Sequence, residues 1–343
     1  MSRNANKQTV PRKLPHVVTY EGDGLRHCLF DLLKSNRNVM FLASGQATHS
    51  FPTPGNLLAQ IAWEVGNRYP PRLFGLGEFL QDLVPTSINL IAQGYHPLVI
   101  MNTTDLARNY AGLSAACAAN IPITFILIAG KENGQTWQPA GVNELSVLLT
   151  LPSLNIGEPS DTVELRQMIK TALSHEEGPT VIRYIPFEFG KSIVKPNLGP
   201  IPGLGKGHML RQGKEVALVA LGDSVEVGLR IVEELEKQGH DAALLEARWA
   251  RPLDQPLLNA VAHHFRRLIT LERGELNGGF GTAILEHFER RNEQEIVVHR
   301  VGLGSRESDD VFALCAEVIR FIDIYNEKQG FQLPVALKRK FSN

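Results

Sequence analysis

The chain has 343 residues, 43% of them hydrophobic and 21% charged, with a formal net charge of −1. This composition excludes a disordered or fibrous chain and supplies enough apolar side chains for two ordinary cores. The balanced charge gives no electrostatic footprint for nucleic acid or an anionic membrane, and no apolar run approaches the roughly 20 residues of a membrane span.

The first fifteen residues are polar and basic and read as a loose arm, without the apolar run of a signal peptide. Leu25 to Leu33 reads as a helix and Val39 to Ala43 as a buried strand. Pro97–Met101 and Ile123–Ile128 are further buried strands, with a small-residue helix from Tyr110 to Ala119 between them. Leu165 to Leu173 is helical and Pro179 to Tyr184 is a strand. Pro186 to Gly213 then holds four prolines and six glycines without clear periodicity, the composition of a linker. A second unit follows. Strand Val216–Leu221 leads into a helix from Val225 to Lys237, closed by Gly239 in the manner of a C-cap. Strand Ala242–Glu246, helix Pro256–Phe265, strand Leu268–Glu272, helix Gly281–Arg290 and strand Val297–Val301 come next, with a terminal helix from Val311 to Tyr325. The alternation predicts an α/β fold: two three-layer α/β/α domains with mostly parallel sheets. Cys28, Cys117 and Cys315 form no CxxC pair, which argues against a zinc or disulfide framework and for a cytoplasmic setting.

Several segments in one order carry a family resemblance. These are Arg72 to Asp82 followed by Ile91 to Gly94, Thr104 to Tyr110, the loop Gly130 to Pro139, Pro159-Ser-Asp161, and Gly178 to Tyr184. In the second unit they are Gly205-Lys-Gly207, Arg248 with Arg251-Pro-Leu-Asp254, Glu272, and Gly278-Gly-Phe-Gly281. Over roughly residues 17 to 325 the chain resembles the second and third domains of the transketolase superfamily, particularly split transketolases and 1-deoxyxylulose-5-phosphate synthases. The resemblance implies a flexible arm at 1–16, a pyrimidine-binding domain at 17–190, a linker at 191–213, a transketolase C-terminal-like domain at 214–330 and a tail at 331–343.

It also implies a cofactor, thiamine diphosphate, whose pyrimidine end this chain would share with a partner. The family's amino-terminal domain, which holds diphosphate and Mg²⁺ through a Gly-Asp-Gly motif and a downstream Asn, has no counterpart here. Gly22-Asp23-Gly24 matches only three residues and falls where the middle domain begins. A separate diphosphate-binding subunit, which would hold the Mg²⁺, is therefore expected as partner, the two chains forming an α₂β₂ heterotetramer.

The resemblance places Leu80 where such enzymes carry an activating glutamate, with Gln81 beside it. That glutamate acts as a general acid on the pyrimidine ring, one step removed from the reacting carbon; losing such a group costs on the order of 10² to 10⁴ in rate. Glu78 is out of register, because a two-residue shift spoils the spacing to Gly94 and helical residues two apart point to nearly opposite sides. Asp105 stands where the family places a phenylalanine that stacks on the pyrimidine. Trp137 replaces a loop histidine and Asn133 an aspartate that reads a substrate hydroxyl. Arg108, Tyr110, Gln138 and Arg183 complete the substrate-pocket candidates. Gly278 to Gly281 is a turn that can cradle an anion or shape a subunit contact, and Asp223 and Ser224 read as turn and N-cap residues.

Two functional readings follow. The first, favoured by the retained Gln81, Thr136, Gln138 and Pro139, is the carboxy-terminal subunit of a two-chain thiamine diphosphate-dependent carboligase transferring a two-carbon ketol or acyl group. The alternative is a non-catalytic structural or regulatory subunit of a transketolase-type complex.

Overall fold

The computed structural model describes residues 17–19, 24–44, 57–76, 83–129, 131–132, 135–136, 144–186, 191–193, 203–291, 296–303 and 310–328. The first part of the chain runs β1 (Val17–Thr19), α1 (Gly24–Ser35), β2 (Val39–Ser44), α2 (Leu57–Arg68), β3 (Leu73–Leu76), α3 (Leu83–Ala92), β4 (His96–Asn102) and α4 (Thr103–Ala118). It continues through β5 (Thr124–Ile128), β6 (Lys131–Glu132), β7 (Gln135–Thr136), α5 (Glu144–Leu149), β8 (Asn155–Gly157), α6 (Thr162–Leu173), β9 (Thr180–Tyr184) and β10 (Lys191–Ile193). The second part comprises β11 (His208–Arg211), β12 (Val216–Ala220), α7 (Ser224–Lys237), β13 (Ala242–Glu246), β14 (Trp249–Arg251) and α8 (Gln255–His264). It ends with β15 (Arg267–Arg273), α9 (Phe280–Arg290), β16 (Val297–Leu303) and α10 (Val311–Lys328).

The larger sheet has the order β14-β8-β9-β5-β4-β2-β3 and the smaller the order β11-β13-β12-β15-β16. All neighbours pair in parallel except the edges β14 and β11, which run antiparallel to β8 and β13. The central strands are apolar on both faces, as a sheet covered by helices on each side requires. Met40, Leu42, Val99, Met101, Phe125 and Leu127 point into one core. Their neighbours Val39, Phe41, Leu98, Ile100 and Ile126 point into the opposite one with α1, α2 and α6. The first of these cores does not stop at the sheet: Ala217, Val219, Ala243 and Leu245 of the smaller sheet and Phe280 of α9 belong to it. The far face of the smaller sheet packs on α7 and α10 through Leu218, Leu244, Ile269, Leu271, Val232 and Ile322.

Two strands fall inside the stretch expected to be linker. β10 pairs with β1, and β11 forms an edge of the smaller sheet. Both are too short to show a period in sequence. α4 begins seven residues before the expected Tyr110, at a capping box in which Asn102 and Asp105 exchange side-chain-to-backbone bonds. α7 closes with Gly239 at a φ of +90°, where glycine is the natural residue.

β14 follows β13 in the chain yet pairs with β8 of the other sheet, Trp249 opposite Gly157. Gly157 leaves the indole its place, since a Cβ there would meet the ring at 2.9 Å. Arg248 makes the turn into β14 in the left-handed region, at a φ of +62°. Its guanidinium pays that strain back with two bonds to Glu164 of α6, at 2.8 and 2.7 Å, both residues being buried. Arg251 donates to the carbonyl oxygens of Leu149 and Leu151 at 2.6 and 2.5 Å.

Candidate functional site

In open α/β sheets, ligand sites lie beyond the carboxyl ends of the strands, and most of the described candidates collect there. Asn102 ends β4. Its side-chain oxygen accepts from the Asp105 N–H at 2.8 Å, and the Asp105 carboxylate accepts from the Asn102 N–H at 3.2 Å. Asp105 is 3% exposed, and burial pushes its carboxyl above the usual range against the opposing pull of the Asn102 N–H and the Arg108 charge. Thr103 donates to Glu144 Oε1 at 2.7 Å. Arg108 is exposed one turn along α4. Tyr110 lies two residues further, on another side of the helix, 36% exposed, with its hydroxyl 2.9 Å from Thr150 Oγ1.

Arg183, near the end of β9, is buried and held by the chain itself. Its Nη1 donates to Glu158 Oε2 at 2.7 Å and its Nη2 lies 3.4 Å from Glu144 Oε2. The two carboxylates raise the guanidinium's already high pKa against the desolvation that opposes it. Glu158 is pushed up to about 7, because burial and the Asp223 charge outweigh the Arg183 cation.

The smaller sheet presents its own carboxyl ends nearby. Asp223, which follows β12, occupies the N-cap position of α7 but makes no side-chain capping bond. It pairs instead with Arg273 at 2.7 Å, so its N-cap reading is corrected: the cation at the end of β15 takes the carboxylate that would have capped. Ser224 turns back to the Leu221 and Leu271 carbonyls. The glycine turn before α9 does hold an anion, and that anion is the chain's own. Glu272 accepts from the Phe280 and Gly281 N–H groups at 2.7 Å each, the arrangement a helix N-terminus favours.

Leu80, Gln81, Asn133, Trp137 and Gln138 lie outside the described residues. Of the remaining candidates, Arg183 pairs with Glu144, which also accepts from Thr103 two residues before Asp105, whereas Arg108 and Tyr110 are exposed on different sides of α4. Glu144, Glu158 and the Asp223–Arg273 pair are site residues that sequence reasoning missed. The available signal was a charged residue directly after an apolar strand, as in Ile156-Gly157-Glu158.

A stacked pyrimidine needs an apolar platform. Asp105 offers a buried carboxyl already bonded to the start of its own helix, so this position does not fit that ring.

The family model for the transketolase C-terminal domain matches residues 205–308. The 1-deoxy-D-xylulose-5-phosphate synthase of Thermomicrobium roseum is 35% identical over 307 residues, covering 88% of this chain and 46% of that protein. The corresponding synthase of Pelotomaculum thermopropionicum is 35% identical over 245 residues, 70% of this chain and 38% of its own length. The chain corresponds to a carboxy-terminal portion of the transketolase superfamily. It spans less than half the length of these curated relatives. A solved structure described as a split gene transketolase, inactive beta4 tetramer, shares the fold with a TM-score of 0.69 and 22% identity, over 88% of this chain and 95% of that one. The transketolase-like boundary at residue 205 falls just before β11, so that the matched region takes in the whole of the smaller sheet.

Proposed function

We propose that this transketolase-like chain is the carboxy-terminal subunit of a two-chain assembly, completed by a separate diphosphate-binding chain, and that its role there is architectural. The observation that carries the reading is the commitment of two pocket candidates to the fold: Asp105 caps α4 and Arg183 is neutralised between Glu144 and Glu158. Among the described residues, the Asp105 carboxylate and both Arg183 Nη atoms are taken up by contacts within the chain itself. The expected leucine at the activating position adds to this, since a hydrocarbon side chain moves no proton. The likeness to a split transketolase, over nearly all of that chain's length, supports the two-chain arrangement.

The carboligase reading keeps specific support in the sequence, where Gln81, Thr136, Gln138 and Pro139 match the family pattern. Exchange of the cofactor's C2 proton for deuterium, followed by NMR on the purified assembly with thiamine diphosphate and Mg²⁺, separates the two. An architectural subunit leaves the exchange at the rate of free cofactor, and Leu80→Glu alone does not raise it because Asp105 still occupies the platform position. Exchange well above that of free cofactor in the wild-type assembly would establish the carboligase reading instead.

A further inference from the structure

The seam between the two sheets buries more negative than positive charge. Glu158 follows β8, Glu144 opens α5 and Asp223 precedes α7; against these three carboxylates stand Arg183 of β9 and Arg273 of β15. Glu272 adds a fourth carboxylate, satisfied by backbone N–H groups of α9.

Glu158 is the member placed across the seam. Its backbone N–H donates to the Arg248 carbonyl at 2.8 Å, just before β14. One carboxylate oxygen takes the Arg183 bond; the other, Oε1, is buried without a hydrogen-bond donor among the described residues. That oxygen lies against Gly222, whose φ of +60° and missing Cβ make room for it. An ionised carboxylate whose second oxygen lacks a donor in a dry site is costly, and a neutral one far less so. Asp223, next to Gly222, adds repulsion when both are charged.

We propose that Glu158 is a proton-operated latch between the two sheets: its neutral carboxyl closes the seam around Gly222 and β14, and its ionisation loosens it. The sign follows from linkage. A carboxyl that titrates near 7 in the folded chain and in the ordinary range when unfolded contributes stability that is fully present below that ordinary range. The contribution is lost as pH rises through about 7.

Trp249 is the reporter, since it is buried and pairs with Gly157, the residue before Glu158. In a chain carrying Trp63→Phe and Trp137→Phe, acrylamide quenching of Trp249 should rise between pH 6 and 8. Hydrogen exchange at the Glu158 and Trp249 amides, corrected for intrinsic pH dependence, should accelerate about tenfold per pH unit above the midpoint. Glu158→Gln, nearly isosteric and permanently neutral, should abolish both effects while keeping the low-pH values throughout. Asp223→Asn should move the midpoint to lower pH. The His240–Glu215 pair, in which the bond to Glu215 raises the imidazole's pKa, is a separate titratable pair; it joins the β12 approach to the end of α7, and it is unchanged in these variants. A titration that persists in Glu158→Gln, or wild-type quenching and exchange that stay flat from pH 6 to 8, would overturn the latch. If Glu158→Gln fails to fold, the Asp223→Asn midpoint decides, and an unmoved midpoint counts against it.

Discussion

Arg183 is held between two buried carboxylates, and removing the cation would leave both charges without it. Arg183→Met is expected to destabilise the chain by about 3–5 kcal/mol, measured by urea unfolding at pH 8; a loss below about 1 kcal/mol would show that water already reaches the cluster. Asp105→Ala removes one half of the capping box and is expected to cost about 1 kcal/mol, with Asp105→Asn recovering part of it. If Asp105→Ala changed cofactor binding to the assembly while leaving stability untouched, the capping role would be the wrong reading. In sequence, Arg183 was legible as the end of a strand and as a pocket candidate. Its neutralisation was not, because Glu158 and Glu144 stand 25 and 39 residues away and no local pattern links them. Asp105 was more accessible than it looked: Asn102-Thr-Thr-Asp105 is a capping-box spacing, and reading it would have started the helix in the right place.

At the scale of elements, β14 does most to join the molecule. Trp249 is 1% exposed and packs where Gly157 gives it room, so Trp249→Ala should cost about 3–5 kcal/mol. Hydrogen exchange should show the loss in β8 as well as in β13; protection lost in only one sheet would mean that β14 does not couple them. Gly279→Ala places a methyl group into the Glu272 carboxylate and should release that carboxylate from the α9 N-terminus. The expected sign is a loss of amide protection at Phe280 and Gly281, and retained protection would contradict the bond. The long buried runs β4, β5, β12 and β15 were legible because a parallel strand covered on both faces is apolar throughout. β11 and β14 were not, since a strand of three or four residues carries no period and its partner is chosen by tertiary packing.

For the whole molecule, one core passes from the face of the larger sheet into the smaller one, and β14 ties the sheets by backbone bonds. The chain is therefore expected to unfold in a single cooperative transition, with calorimetric and van't Hoff enthalpies in agreement; two separated transitions would show that the sheets fold independently. The family and the α/β architecture could be read from motif order, while the role of the pocket depended on contacts that only the fold brings together.

The most direct measurement is native mass spectrometry of the tagged chain purified from its own host, with thiamine diphosphate and Mg²⁺ supplied. A heteromer with a diphosphate-binding chain, lacking cofactor in the pocket this chain completes, is the expected result. One cofactor bound per pair would contradict the architectural role, and a homo-oligomer alone would contradict the two-chain assembly.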